Sequence, residues 1–174
     1  MNVLVLNCGS SSLKFAVIDP DTSVEHVSGI AQRLGSPEAS LDVKRNGTKS
    51  TRPIPGALHD EALHGVVDAL KELGLADGLL AVGHRVVHGG SKFAGSMAIT
   101  PEVVAKMEEC IPLGPLHNPP NLVGIRIAQS LFPDLLQVGV FDTAFHQTMP
   151  PVAYTYPVPG EWLEKHSARR YGLH

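Results

Sequence analysis

Residues 7–14 read Asn-Cys-Gly-Ser-Ser-Ser-Leu-Lys and lie between two short apolar runs, Val3-Leu4-Val5-Leu6 and Phe15-Ala16-Val17-Ile18. That arrangement leaves the start of the chain little choice. Two strand-like runs around a glycine–serine segment make a hairpin. Three hydroxyls, exposed backbone N–H groups and Lys14 at the mouth of the turn suit a phosphate, offering many donors and one positive point charge. A Walker A loop is excluded, because its G-x-x-x-x-G-K-[ST] stands between a strand and a helix. A plain surface hairpin has the same composition, so the turn alone leaves both readings open.

The pattern after the hairpin decides the fold class. Residues 2–8 read as a first strand with apolar side chains on both faces, which predicts a central strand covered on both sides. Strands follow over 13–19, 24–33 and 40–52, the last turning back on itself at Asn46-Gly47. A helix is expected from His59 to Leu73, with Ala62, Leu63, Val66, Val67, Leu70 and Leu73 on one stripe and Gly74 as its stop. Leu79 to Val87 returns as a buried strand. Thr100-Pro101-Glu102 caps a helix running to about Cys110, and Pro119-Pro120-Asn121 opens another. Leu135 to Phe141 is a further buried strand. Strands first, then alternating helix and strand, predict an α/β domain with a mixed sheet and flanking helices. Beyond Asp142 the prolines at 150, 151, 157 and 159 suggest a crossover or hinge.

Composition narrows the function. With 43% hydrophobic and 18% charged residues, the 174-residue chain can build an ordinary core. A net charge of −3 and few aromatic residues give no footprint for nucleic acid or an anionic membrane. Cys8 and Cys110 make no disulfide framework or zinc spacing. No signal h-region or transmembrane run is present in the sequence, so a cytoplasmic location is expected. The final Arg170-Tyr171-Gly172-Leu173-His174, with no charged tail or capped helix, reads as a cut through a structured region.

Three further segments carry candidate chemistry. Gly83-His84-Arg85-Val86-Val87-His88-Gly89-Gly90 ends a strand at a double glycine. His84 and His88 are ~13 Å apart on a strand, too far to share one metal ion. Alternation puts Arg85 and Val87 on one face, where a guanidinium beside an apolar group would anchor a small carboxylic acid. A structural ion pair of Arg85 is the competing reading. His117, in Leu116-His117-Asn118-Pro119-Pro120, is either a positioned donor or a cap on the next helix. Asp142 follows a buried strand, a place suited to Mg²⁺ or to a base. Capping a helix with Thr143 is its alternative role.

Taken together these stretches resemble the acetate and propionate kinase family. The resemblance is carried by LNCGSSSLKF (6–15), GHRVVHGG (83–90), PLHNPPN (115–121), VFDTAFHQTMP (140–150) and RRYGLH (169–174), and so spans the whole chain. It implies the ribonuclease-H-like fold of the actin, heat-shock-chaperone and sugar-kinase superfamily, whose first phosphate-binding hairpin residues 2–19 resemble. It also implies residues 1–148 as an N-terminal acyl- and phosphate-binding domain, with 149–174 crossing into a truncated second, nucleotide-binding domain. The implied activity is reversible ATP-dependent phosphorylation of acetate to acetyl phosphate with Mg²⁺ or Mn²⁺, in a protein that is a homodimer when full length.

By the same resemblance, Asn7 lies near the metal, and Ser10, Ser12 and Lys14 contact the ATP phosphates. Arg85 holds the substrate carboxylate or the transferring phosphoryl group, and Val87, Leu116 and Leu173 receive the methyl group. His117 donates near the acyl phosphate, Asp142 is the catalytic acidic residue, working through Mg²⁺ or as acid/base, and His174 stabilises transition-state charge. Leu173 departs from the family's usual phenylalanine and Gly114 from a frequent alanine. Family members are more than twice as long. The adenosine pocket, a second phosphate loop, another arginine and a metal-binding glutamate lie in the part not seen here, so this piece alone is expected to be inactive. A propionate or butyrate kinase, or a non-catalytic binding module on the same half-fold, are the rival readings. A serine hydrolase is disfavoured, because the turn joins strands and lacks a G-x-S-x-G elbow.

Overall fold

The structure, a computed structural model, describes residues 1–172. Eight strands form one sheet in the order β5-β4-β3-β2-β1-β6-β8-β7. The first five, β1 (Asn2–Cys8), β2 (Ser12–Asp19), β3 (Val24–Gln32), β4 (Ser40–Arg45) and β5 (Thr48–Pro53), make the expected antiparallel meander. Asn46 and Gly47 both take positive φ at the β4–β5 turn, as a two-residue hairpin with this sequence demands. β6 (Leu79–Val86) then pairs parallel with β1, and β8 (Leu136–Phe141) pairs parallel with β6. The two-residue β7 (Met97–Ala98), too short for the sequence pattern to register, closes the far edge antiparallel to β8.

The helices fall where the apolar stripes and caps place them. α1 (His59–Glu72) buries Leu63, Val66 and Leu70 against β2 and β4. α2 (Pro101–Glu108) starts at Thr100, whose side chain accepts from Val103 N at 3.3 Å. α3 (Asn118–Leu131) lies on β1 and β6. One apolar cluster joins Leu4, Leu6, Leu13, Val17, Val66, Leu70 and Ala128. A second joins Val86, Met107, Ile125, Phe93 and Phe141, the last two stacked with ring centroids 4.0 Å apart.

β1 is central, but covering on both faces is not what the structure has. Leu4, Leu6 and Cys8 are buried under the helices, whereas Val3, Val5 and Asn7 on the other face are only half-buried. That face borders a cavity of about 510 Å³ lined by Asn7, Lys14, Ala16, Ile30, Asp42 and Lys44, among others. The meander turns without crossovers, so it brings no helix to this side, and α3, on the β6–β8 connection, lies on the other.

The proline-rich stretch also differs from a bare hinge. It holds α4 (Pro151–Tyr154) and α5 (Gly160–His166), tied together by a Thr155–Arg169 bridge and by Arg170 N donating to Tyr154 O at 2.8 Å. Prolines precede or open both helices, where a missing N–H costs nothing.

Candidate functional site

Three adjacent parallel strands, β1, β6 and β8, end at the same edge of the sheet. Ligands of open α/β sheets gather outside such carboxyl ends. Leu6 pairs with His84, and Arg85 pairs with Val140, so Asn7, Arg85 and Asp142 all reach this edge.

The Gly9–Ser12 turn after β1 is tight. Gly9 N donates to Ser12 O at 2.8 Å, and the ring Nε2 of His59 on α1 is 2.7 Å from Gly9 O. Ser10 and Ser11 are exposed, Ser12 opens β2, and Lys14 stands directly across from Asn7. Exposed hydroxyls and a lysine thus flank this turn, and Asn7 and Lys14 line the larger cavity.

Arg85 and Asp142 form a two-pronged ion pair. Arg85 Nη2 donates to Asp142 Oδ2 at 2.6 Å, and Nε reaches both carboxylate oxygens at 3.0 and 3.2 Å. The ion-pair reading of Arg85 is thus realised, with the partner being the very carboxylate singled out for chemistry. Asp142 does not cap. It is the first residue of a 3-10 turn (Asp142–His146) whose N-cap is Phe141, with no side-chain capping bond. Arg85 is 46% exposed and Asp142 20%, so both remain accessible.

Val87 and Arg85 do not share one pocket. β6 stops at Val86, and Val87 turns to line a 250 Å³ pocket with His88, His117, Thr143, Tyr156, Arg169 and Tyr171. Leu116 is 76% exposed and is not among that pocket's lining, so the structure does not enclose it with Val87. His117 occupies the N-cap position of α3, but its ring makes no capping bond, which leaves it available to the pocket. Leu173 and His174 lie outside the described residues.

Sequence reasoning missed the side chains that hold this edge together. Residues 87–90 run past the sheet and have no ladder partner, so their backbone groups need others. Val87 N donates to Asn121 Oδ1 at 3.1 Å. His88 N donates to Asn118 Oδ1 at 3.2 Å, while Asn118 Nδ2 donates to His88 O at 2.8 Å. Gly89 N donates to Thr143 Oγ1 at 2.9 Å, and Gln147 Nε2 to Gly90 O at 2.9 Å. Arg169 was also missed. Its guanidinium lies 3.7 Å from the Tyr154 ring centroid, and its buried Nη2 has no acceptor among the described residues. The signal for the asparagines was present, in two amides in the first turn of an amphipathic helix beside a rigid loop.

The two histidines of the GHRVVHGG stretch have separate surroundings. His84 is buried on β6 and its Nε2 donates to Gln137 Oε1 at 2.8 Å. His88 packs its ring edge-on to Tyr171, with centroids 4.5 Å apart. Burial lowers the pKa of both, opposed at His84 by the Gln137 bond. A depressed folded-state pKa means the unfolded chain binds the extra proton first as pH falls through about 6.5. Stability is therefore retained above that value and lost below it. The melting temperature is expected to drop between pH 7.5 and 5.5, and His84→Asn to flatten that slope; a variant with the wild-type slope would remove His84 as its source.

Burial pushes the Cys8 thiol up to about 12, so it is not a nucleophile. Among the described residues, no group of three or more His, Cys, Asp or Glu is placed to hold a metal. Magnesium does not need one. It keeps several waters and takes one or two carboxylates plus substrate phosphates, and Asp142 with the Asn7 amide matches that sparse donor set.

Comparison with known proteins gives the family and the fold. Residues 2–174 match the model of the acetokinase family. The chain is 51% identical over 174 residues to an acetate kinase of Deinococcus radiodurans, covering 100% of this chain and 44% of that one. Among solved structures, a propionate kinase from Francisella tularensis superposes with a TM-score of 0.96 at 43% identity, covering 99% of this chain and 45% of the other. The acetate kinase of Porphyromonas gingivalis gives 0.93 at 45% identity, with the same coverage. The chain thus spans under half the length of the relatives it matches. The expected α/β fold of mixed sheet and flanking helices is the fold of these relatives. The serine-rich Gly9–Ser12 turn, the Arg85–Asp142 pair and the pocket beyond Val87 lie at the carboxyl ends of parallel strands, in a chain matched from its second residue to its last: it belongs to the acetokinase family.

Proposed function

We propose that this chain is the acyl- and phosphate-binding part of a carboxylate kinase that reversibly converts acetate and ATP to acetyl phosphate and ADP. The observation that carries the reading is the Arg85–Asp142 pair at the ends of β6 and β8, beside Asn7 at the end of β1. Residues 1–148 form the acyl and phosphate part, and 149–174 lead toward the nucleotide part.

Transfer is direct and in line. A carboxylate oxygen of acetate bonds to the γ-phosphorus as the bond to the β,γ-bridging oxygen breaks and ADP leaves with that electron pair. Acetate is already ionised at neutral pH, so no strong base is needed, and positioning with charge neutralisation dominates. Ser10, Ser12 and Lys14 bind and orient phosphate oxygens. Val87 offers the methyl group an apolar wall. His117 donates to the acyl phosphate, and Arg169, whose Nη2 has no acceptor among the described residues, gives that pocket a cationic side. Leu116, Leu173 and His174 complete the site in the full-length protein. Arg85 exchanges part of its contact with Asp142 for a phosphoryl or carboxylate oxygen, to which its planar fork is matched. Asp142 and Asn7 would hold Mg²⁺ or Mn²⁺, which would supply charge neutralisation on the phosphates.

ATP as co-substrate fits a cytoplasmic, dimeric protein, without nucleic acid or membrane partners. No helix among the described residues is long and apolar enough to cross a membrane. Discrimination between acetate and propionate rests on one methylene, worth only about 1–3 kcal/mol, and is read from kcat/KM across acid lengths.

The test is acyl-hydroxamate formation from acetate and ATP. The full-length protein should produce it. The 174-residue chain should match a protein-free blank, because on this reading the part that positions the γ-phosphate from the nucleotide side belongs to the remainder of the full-length protein. Turnover by the short chain alone would refute the division of labour, and none by the full-length protein would refute the activity.

A further inference from the structure

Asn118 and Asn121 are one turn apart at the start of α3, both buried, and each uses both ends of its amide on backbone. Their partners differ in a way that matters. Both ends of Asn118 serve His88. Asn121 accepts from Val87 N at 3.1 Å with one end and donates to Cys8 O at 2.6 Å with the other. Cys8 is the last residue of β1, one step before the Gly9–Ser12 turn, and Val87 is the first residue past β6, on the wall of the 250 Å³ pocket. The strand ladder has by then stopped: the last β1–β6 pair is Leu6 with His84. Beyond that pair, Asn121 is the side chain that bonds the two chain ends to one another. An amide with both ends bonded has no rotamer freedom to take up slack.

We propose that Asn121 is a positioning residue that sets the separation between the phosphate turn and the acyl pocket, and so aligns the two substrates for transfer. The inference rests on the carboxylate kinase reading above. In-line transfer needs the reacting atoms near contact distance, and a misplacement of about 1 Å costs on the order of 10²-fold in rate. Losing the Cys8 bond frees the turn relative to the pocket, while the Asn118 bonds still hold the pocket wall.

Asparagine-to-aspartate exchange separates the two roles, because it keeps an acceptor for the N–H and puts an oxygen against the carbonyl. Asn121→Asp keeps the Val87 bond and breaks the Cys8 link. Asn118→Asp suffers the same chemical insult in the same helical turn but breaks only the bond to His88 O. In the full-length protein, kcat of Asn121→Asp should fall about tenfold or more below that of Asn118→Asp, with KM for acetate the less affected constant. In the 174-residue chain, amide exchange at Gly9, whose N–H closes the turn, should speed up in Asn121→Asp by about tenfold more than in Asn118→Asp. If either aspartate variant does not fold, the neutral, shorter pair Asn121→Ser and Asn118→Ser gives the same comparison.

Equal losses of kcat and equal exchange at Gly9, at matched melting temperature, would make Asn121 an ordinary structural amide and overturn the proposal. A full-length wild type without acyl phosphate formation would instead sink the kinase reading. The exchange difference at Gly9 would still decide whether Asn121 ties the turn.

Discussion

In the full-length protein, Asp142→Asn is expected to lower kcat by several orders of magnitude and to leave the fold intact. The substituted side chain has the same shape and stands at the end of β8, so packing is preserved. Two things are lost. Asn cannot carry the charge that Mg²⁺ coordination requires, and it cannot accept on both oxygens from Arg85. The stability change is small, because Arg85 is about half exposed and pairs of that kind contribute roughly 0–1 kcal/mol, less after solvent screening. If Asp142 served only to hold Arg85 in a surface pair, turnover would stay near normal. Capping no longer offers an alternative, since Phe141 holds that position. Measuring kcat and melting temperature on one preparation separates the outcomes: unchanged melting with near-normal turnover removes Asp142 from the chemistry.

Gly124→Ala should be a damaging small substitution in the scaffold. A methyl group at Gly124 would overlap Cys8 Sγ and come within 2.9 Å of Cys8 Cβ, where α3 presses on β1. Neither element can yield cheaply, because α3 is packed through Leu122, Ile125 and Ala128 and β1 is bonded on both edges. Overpacking of this type costs about 1–3 kcal/mol. At roughly 2–4 °C per kcal/mol for a chain of this size, melting falls by roughly 2–12 °C. Pushing α3 outward also withdraws Asn118 and Asn121 from the backbone they hold, so activity of the full-length protein falls with stability. Cys8→Ala removes the overlapping sulfur and should restore part of the loss in the double variant. A Gly124→Ala protein that melts like wild type would show that α3 and β1 have room to separate.

Strands β1 to β6 and β8, helices α1 to α3, the Asn46-Gly47 turn and the Thr100 cap were legible in the sequence, because each is specified by spacing and end signals among near neighbours. The chemistry-bearing motifs were legible for a related reason. Asp142 directly follows a mostly apolar run, and Asn7 to Lys14 interrupt two others, so local pattern alone marks them as strand ends. Tertiary structure decided what these residues do to one another. Arg85 and Asp142 are 57 positions apart, and only the parallel pairing of β6 with β8 brings the guanidinium onto the carboxylate. Asn121 reaches Cys8 across 113 positions, which no periodicity announces. The half-covered face of β1 was equally hidden: alternation shows that Val3 and Val5 are apolar, not on which side the crossover helices pass. Arg169 joins Val87 and His117 only because 151–172 folds back on itself through the Thr155–Arg169 bridge. Local sequence set most of the elements and put the candidate residues at their ends. Contacts between distant segments, which depend on sheet order and crossover side, set the site.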